Sequence, residues 1–237
     1  MPHREPTLGV LMLEGKMAAE PGCLGSPDSF PYRVLRRVVP GSRAPRTLAD
    51  VEAMAPAYAA AARQLAEDGA DVITDNCNGR MVTLQERLAA VAGVPVVMST
   101  LFLVPWVTRL IPGRRVGILA LAEEDPGEWH YQACGWSSRE IPIAVAGVGA
   151  SAAWRQFLAT KEIGPAQRRE MVHDLVRATH DLLRQHPDLG SFVVECTLLP
   201  PCSQEVREAH GLPVFDILNA LDFAVAGRSR PAGLNHH

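Results

Sequence analysis

The residues in this chain best equipped for chemistry are five cysteines: Cys23, Cys77, Cys134, Cys196 and Cys202. Their number is odd, their spacing is wide and no CxxC pair occurs, so neither a disulfide framework nor a zinc site reads from them. Free thiols are the expectation, and a thiolate serves as base or nucleophile wherever its surroundings stabilise the charge. Two of the five stand apart by context. Cys77 lies in DVITDNCNGRMVTLQERLAAVAGVPVV and Cys196 in SFVVECTLLPPCSQEVREAHGLPVF. In each, an apolar run reaches a cysteine, then a turn, then an amphipathic helix, then Gly-apolar-Pro-Val opening another strand. The cysteines are 119 residues apart, while Gly93 and Gly211, like Pro95 and Pro213, are 118 apart. Upstream, LGVLML around Gly9 is echoed 108 residues later by RVGILAL around Gly117. Cys23, Cys134 and Cys202 have no such counterpart and read as small buried hydrophobes.

A cysteine just after a strand and just before a helix occupies the edge where open α/β sheets bind their ligands. The N–H groups and dipole of the helix start favour a thiolate and a bound carboxylate there. Two such units facing one another would bring their thiols to opposite sides of one ligand. One thiolate could then take a proton from a carbon while the other thiol returns a proton to the opposite face, which is what inversion of a stereocentre requires.

The elements that must hold these cysteines are legible. Strands are expected at Leu8–Leu13, Arg33–Val39, Val72–Asp75, Pro95–Met98, Arg115–Ala120, Ile141–Val145, Ser191–Glu195 and Pro213–Asp216. Between them run segments of helical period. The clearest is Pro165–His186, with Met171, Val172, Leu175, Val176, Leu182 and Leu183 on one stripe; another spans about 48 to 68 and contains Pro56. Apolar strands alternating with helices predict an α/β fold with parallel sheets covered on both faces, here as two similar units of about four strands each.

The composition fits: 237 residues, 47% hydrophobic and 21% charged, describe a soluble globular chain with a real core. A net charge of −3 from 23 basic and 26 acidic residues, well mixed, lacks the footprint of a nucleic-acid binder. The apolar run Leu8–Leu13 is short for a signal peptide, and the charge-free stretch Val91–Thr108 is broken by Gly93, Pro95 and Pro105, so no membrane span is expected. Unpaired thiols imply a reducing cytoplasm. GVGAS at 147–151 is not GxGxxG, and neither GxxxxGK[ST] nor GxSxG occurs. Trp129, Tyr131 and Trp136 are expected to cover the edge of the second unit.

These features resemble the aspartate/glutamate racemase superfamily, which includes hydantoin racemases, maleate isomerases and arylmalonate decarboxylases. The resemblance spans nearly the whole chain. It is carried by Asn76-Cys77-Asn78, by Glu195-Cys196-Thr197 with Pro200-Pro201, by GLPVFDI at 211–217, and by Pro21-Gly22 and Phe30-Pro31 after the first strand. It implies two flavodoxin-like domains about a pseudo-two-fold axis, with the active site in the cleft between them. The first would be 1–99, with 218–237 returning to pack on it, and the second 100–217. It further implies that Cys77 and Cys196 are the catalytic thiols of a cofactor-independent racemase or epimerase acting on a small carboxylate-bearing substrate. No metal, flavin or pyridoxal cofactor is implied, and a homodimer is left open. Asn78 and Thr197 would bind the substrate carboxylate, with Asn76, Glu14, Gly41 and Ser42 as further lining. Where glutamate racemases carry an Asp-Ser pair, a Thr and a His, this chain has Leu13-Glu14, Gly79 and Leu198, which speaks against glutamate as substrate. Retention of Cys77 speaks against arylmalonate decarboxylation. Maleate-type cis–trans isomerisation by a nucleophilic cysteine, and a non-catalytic binding protein that keeps the cleft, are the alternatives.

Overall fold

The computed structural model describes residues 5–77, 79–122 and 126–228. Asn78, the acidic run 123–125 and the C-terminal 229–237 lie outside it. Eight strands form two four-stranded, all-parallel sheets. The first contains β1 (Thr7–Met12), β2 (Arg33–Val38), β3 (Val72–Asp75) and β4 (Val96–Val97), in the order β2-β1-β3-β4. The second contains β5 (Arg115–Ala120), β6 (Ile143–Gly147), β7 (Leu189–Val194) and β8 (Val214–Phe215), in the order β6-β5-β7-β8. Every expected strand is present. The last strand of each sheet shrinks to two residues, because only that much of it pairs with the neighbouring central strand.

Helices follow the same duplicated plan. In the first half come α1 (Leu48–Glu67), α2 (Gln85–Ala92) and α3 (Val104–Leu110). Thr47 and Asp50 close a reciprocal capping box at the start of α1, and Pro56 sits within this one continuous helix. The second half has α4 (Glu128–Ala133), α5 (Ala152–Thr160), α6 (Pro165–Gln185), α7 (Ser203–His210) and α8 (Ile217–Arg228). Gly93 ends α2 and Gly211 ends α7, both in the left-handed conformation.

Of the four central strands, β1, β3 and β7 are buried along their length and β5 in all but its first residue, as strands covered on two faces must be. In the first sheet Leu11 and Ile73 face a core built with Met54, Tyr58 and Leu65 of α1 and Leu88 of α2. Leu8, Val10 and Val72 face the other way, onto Ile217, Leu221 and Val225 of α8. The second sheet reciprocates: Leu119, Phe192 and Val194 pack on α5, α6 and α7, while Val116, Ile118 and Val193 pack on Val104 and Val107 of α3. Each half therefore lends a helix to the sheet of the other, and each fully buried aliphatic side chain in that exchange contributes about 1.5–3 kcal/mol. The echoed glycines are close-approach points. A Cβ at Gly9 would come 2.9 Å from Ala70 Cβ, and one at Gly117 only 2.6 Å from the Phe192 ring. Tyr131 and Trp136 stack at 4.4 Å in the core beside α3, with the Trp136 indole donating to the Leu101 carbonyl.

Candidate active site

The two cysteine turns start from one register. Leu11 of β1 pairs with Asp75, and the Asn76 N–H donates to the Leu11 carbonyl at 3.0 Å. Leu119 of β5 pairs with Val194, and the Glu195 N–H donates to the Leu119 carbonyl at 2.8 Å. The next residue in each chain segment is the cysteine, so Cys77 and Cys196 leave equivalent carboxyl edges of the two sheets. A 3-10 turn and a helix follow each: Gly79–Leu84 then α2, and Pro200–Cys202 then α7. Both thiols are half-buried and unpaired by disulfide. They line one cavity of about 270 Å³ whose walls come from both halves, including Leu13 and Met17 from the first and Leu158, Lys161, Glu195 and Leu198 from the second. Two wider grooves of about 560 and 500 Å³ run along α6 and share no lining residue with this cavity.

The residues beside the cysteines tie the halves together. The Thr197 hydroxyl donates to the Asn76 carbonyl at 2.9 Å, and the Thr100 hydroxyl donates to the Val194 carbonyl at 2.7 Å. Asn76 accepts from the Leu13 N–H at 2.8 Å and points its amide nitrogen at the Met17 sulfur, 3.2 Å away. Asn76 and Thr197 line the cavity, then, with polar atoms already engaged in bracing it. Glu14, Gly41 and Ser42 form a separate cluster. Ser42 Oγ accepts from the Glu14 N–H at 2.9 Å and donates to the Val39 carbonyl, and the Gly41 N–H donates to Glu14 Oε2 at 3.0 Å. Their loops reach the cavity instead through Leu13, Met17, Ala44 and Pro45. Asn78 falls outside the described residues.

Sequence reasoning missed Lys161. The short helix α5, capped by the Ser151 hydroxyl, ends in this lysine at φ 56°, the one non-glycine residue in the left-handed region among those described. Such a conformation costs on the order of 1–3 kcal/mol and tends to mark functional positions. Lys161 makes no ion pair among the described residues. Burial pulls its pKa below the ordinary lysine value, while the nearby Cys196, Cys77 and Cys23 pull in the opposite direction. One signal was present in the sequence: Lys161 is one of only two lysines beside twenty-one arginines, and Lys16, the other, pairs with Glu162.

The thiols differ in their surroundings. Burial first, and the Glu195 carboxylate second, push the Cys196 thiol well above its ordinary pKa, with the Leu198 N–H opposing weakly. Cys196 is therefore a neutral thiol near neutral pH. Glu195 reaches this position because Gly79 faces it: at φ 79°, a Cβ there would lie 2.8 Å from Glu195 Oε1. The glycine that departs from the glutamate racemase pattern makes room for a carboxylate from the opposite half. Cys23, Cys134 and Cys202 are buried, and burial pushes each up to about 12, which suits packing rather than chemistry. Among the described residues no group of three or more His, Cys, Asp or Glu side chains could hold a metal ion, and no helix is long and apolar enough to cross a membrane.

No family model matches the chain. A curated relative does: a dimethylsulfoniopropionate lyase from Durusdinium sp. clade D is 30% identical over 233 residues, covering 94% of this chain and 75% of its own length. The chain belongs to the dimethylsulfoniopropionate lyase family. A second member, dimethylsulfoniopropionate lyase 3 of Emiliania huxleyi (strain CCMP1516), is 28% identical over 93% of this chain but 59% of its own length, so the chain spans well under two thirds of that longer protein. Solved structures share the fold of this chain. A liganded double mutant of arylmalonate decarboxylase aligns at TM-score 0.61 with 19% identity, over 98% of this chain and 95% of that one. The maleate isomerase of Pseudomonas putida S16 aligns at 0.59 with 14% identity, over 94% and 92%. An aspartate racemase homologue from Pyrococcus horikoshii OT3 aligns at 0.56 with 12% identity, over 94% and 96%. This chain thus has the fold of the aspartate/glutamate racemase superfamily.

Proposed function

We propose that this chain removes a proton from the carbon α to a carboxylate, with the Cys77 thiolate as base, and expels a β-substituent, its substrate being dimethylsulfoniopropionate. The observation that carries this reading is a single cavity lined by two thiols from equivalent turns and by the Lys161 ammonium. The lyase name of the relative at 30% identity supplies the substrate. A cavity of about 270 Å³ lies at the bottom of the usual range of ligand pockets, about 300–1,000 Å³, and suits a compact molecule. Lys161 pairs with the substrate carboxylate and stabilises the negative charge that develops towards it as the α-proton leaves.

The elimination balances without another reactant. The Cys77 thiolate takes the α-proton, the C–H electron pair becomes the new double bond, and the C–S bond breaks with its electron pair leaving on sulfur. Acrylate and dimethyl sulfide result, and Cys77 returns its proton to solvent. Dimethyl sulfide departs without needing a proton, so Cys196 is not required as an acid and serves to shape the cavity wall.

A second reading, racemisation or epimerisation, is favoured by Cys196 being a neutral thiol on the same cavity. It shares the first step and differs in the fate of the carbanion, which Cys196 would reprotonate. Incubation with dimethylsulfoniopropionate in deuterated water, with headspace chromatography and mass analysis, separates the two, and a panel of D- and L-amino acids runs alongside. The elimination reading expects dimethyl sulfide from the native chain and none from Cys77→Ala. Deuterium gain at the α-carbon of an amino acid, without dimethyl sulfide, would replace it with the racemase reading.

A further inference from the structure

One buried ionisable group has no part in the chemistry above. Asp75, the last residue of β3, is fully buried, and among the described residues no side chain pairs with its carboxyl, which meets only the backbone N–H of Cys77. By strand alternation its side chain shares a sheet face with Ile73, towards the core containing Tyr58 of α1, and Cys77 packs against that same core two residues on. The Tyr58 hydroxyl is also buried, without a partner among the described residues. In the second sheet the position in the same register is Val194, an ordinary core residue. A buried carboxyl in a valine's place, with no side-chain partner among the described residues, costs about 1–3 kcal/mol relative to an apolar side chain, so packing alone does not account for it.

We propose that Asp75 is a positioning residue for Cys77: its carboxyl lies in the core beneath the turn that carries the thiol, and the thiolate forms readily only while that carboxyl is uncharged. The inference rests on Cys77 being the base of the proposed reaction. Among the described residues the titratable groups facing Asp75 are Tyr58 from α1 and Cys77 from its own turn; Tyr58, pushed up by burial and by the charges of Asp75 and Cys77, stays neutral and senses both. Burial pushes the Asp75 carboxyl up to about 8, with the Cys77 N–H opposing weakly. Below that value Asp75 is neutral; above it, its carboxylate places a like charge beneath the turn that carries the thiol, which disfavours the thiolate.

The test follows iodoacetamide alkylation of Cys77 by peptide mass spectrometry, in the native chain, Asp75→Asn and Asp75→Val, between about pH 6 and pH 10. Asp75→Val copies the second sheet and keeps the comparison open if the asparagine variant folds poorly. The three profiles should agree within about twofold below pH ~7, and above pH ~8 the native chain should fall about tenfold behind both variants, as a like charge worth one pKa unit requires. Coincident profiles at every pH would overturn the inference. The parallel measurement of lyase activity in Cys77→Ala keeps the two questions apart: activity retained there defeats the base assignment, whereas the alkylation profiles judge Asp75 independently of turnover.

Discussion

At the end of β3 the chain reads Asp75-Asn76-Cys77, and at the end of β7 it reads Val194-Glu195-Cys196. The triplets occupy one register and leave their sheets by matching hydrogen bonds, but the acidic group sits in different layers. In the first half it lies inside the core under the cysteine; in the second it lies one residue later, on the cavity wall. Burial first, and the Glu195 carboxylate second, keep the Cys196 thiol protonated, whereas the carboxyl beneath Cys77 is itself neutral at pH 7. A symmetric scaffold thus places equivalent thiols in two different charge environments, and a one-residue displacement of the acidic group is enough to do it.

Breaking this asymmetry should give graded effects. Cys77→Ala should lose at least about 10³-fold in kcat for dimethyl sulfide release, within the range a general base supplies, whereas Cys196→Ser should lose no more than about tenfold. Equal losses in the two variants would erase the distinction and favour two-base chemistry. Lys161→Ala should raise KM by about 10–100-fold, the worth of a charge-assisted hydrogen bond, with Lys161→Arg failing to restore it because a bulkier fork must fit a small cavity; steady-state kinetics read both. Asp75→Val should raise stability by about 1–3 kcal/mol at neutral pH through removal of a buried carboxyl that no side chain among the described residues satisfies. The sign with pH follows from the same group. Unfolded, it loses its proton near ~4, but folded it keeps it to about 8, so the folded chain holds the extra proton between those values. Stability should fall as pH rises through that window and level off above it. Melting temperatures across the window should show the slope in the native chain and lose it in Asp75→Val. The smallest effect should come from Gly79→Ala, which meets both a positive φ and Glu195 Oε1 and should cost about 1 kcal/mol, measured by denaturant unfolding.

The pairing of Cys77 with Cys196 could be read from the chain because duplication preserves order: strand, cysteine, turn, helix and Gly-x-Pro-Val recur at nearly constant offset. The eight strands were legible for a related reason, since strands covered on both faces are continuously apolar. Pro165–Gln185 was legible from its stripe and its prolines. Helix α5 was not, for its nine residues (Ala152–Thr160) carry too few turns to declare a period, and Lys161 was lost with it. Glu14, Gly41 and Ser42 drew attention as members of the loops after the first two strands, yet their hydrogen bonds close on one another, and apolar neighbours in the same loops face the cavity.

The sequence by itself determined the local elements, their duplication and the equivalence of the Cys77 and Cys196 turns, because periodicity and repetition are properties of a linear chain. Only the tertiary structure decided that Lys161 joins the two thiols, that Gly79 yields its space to Glu195, and that Asp75 is buried where its counterpart is valine. Those relations join residues from different elements, and burial and electric field depend on what surrounds a group in space rather than on its neighbours along the chain.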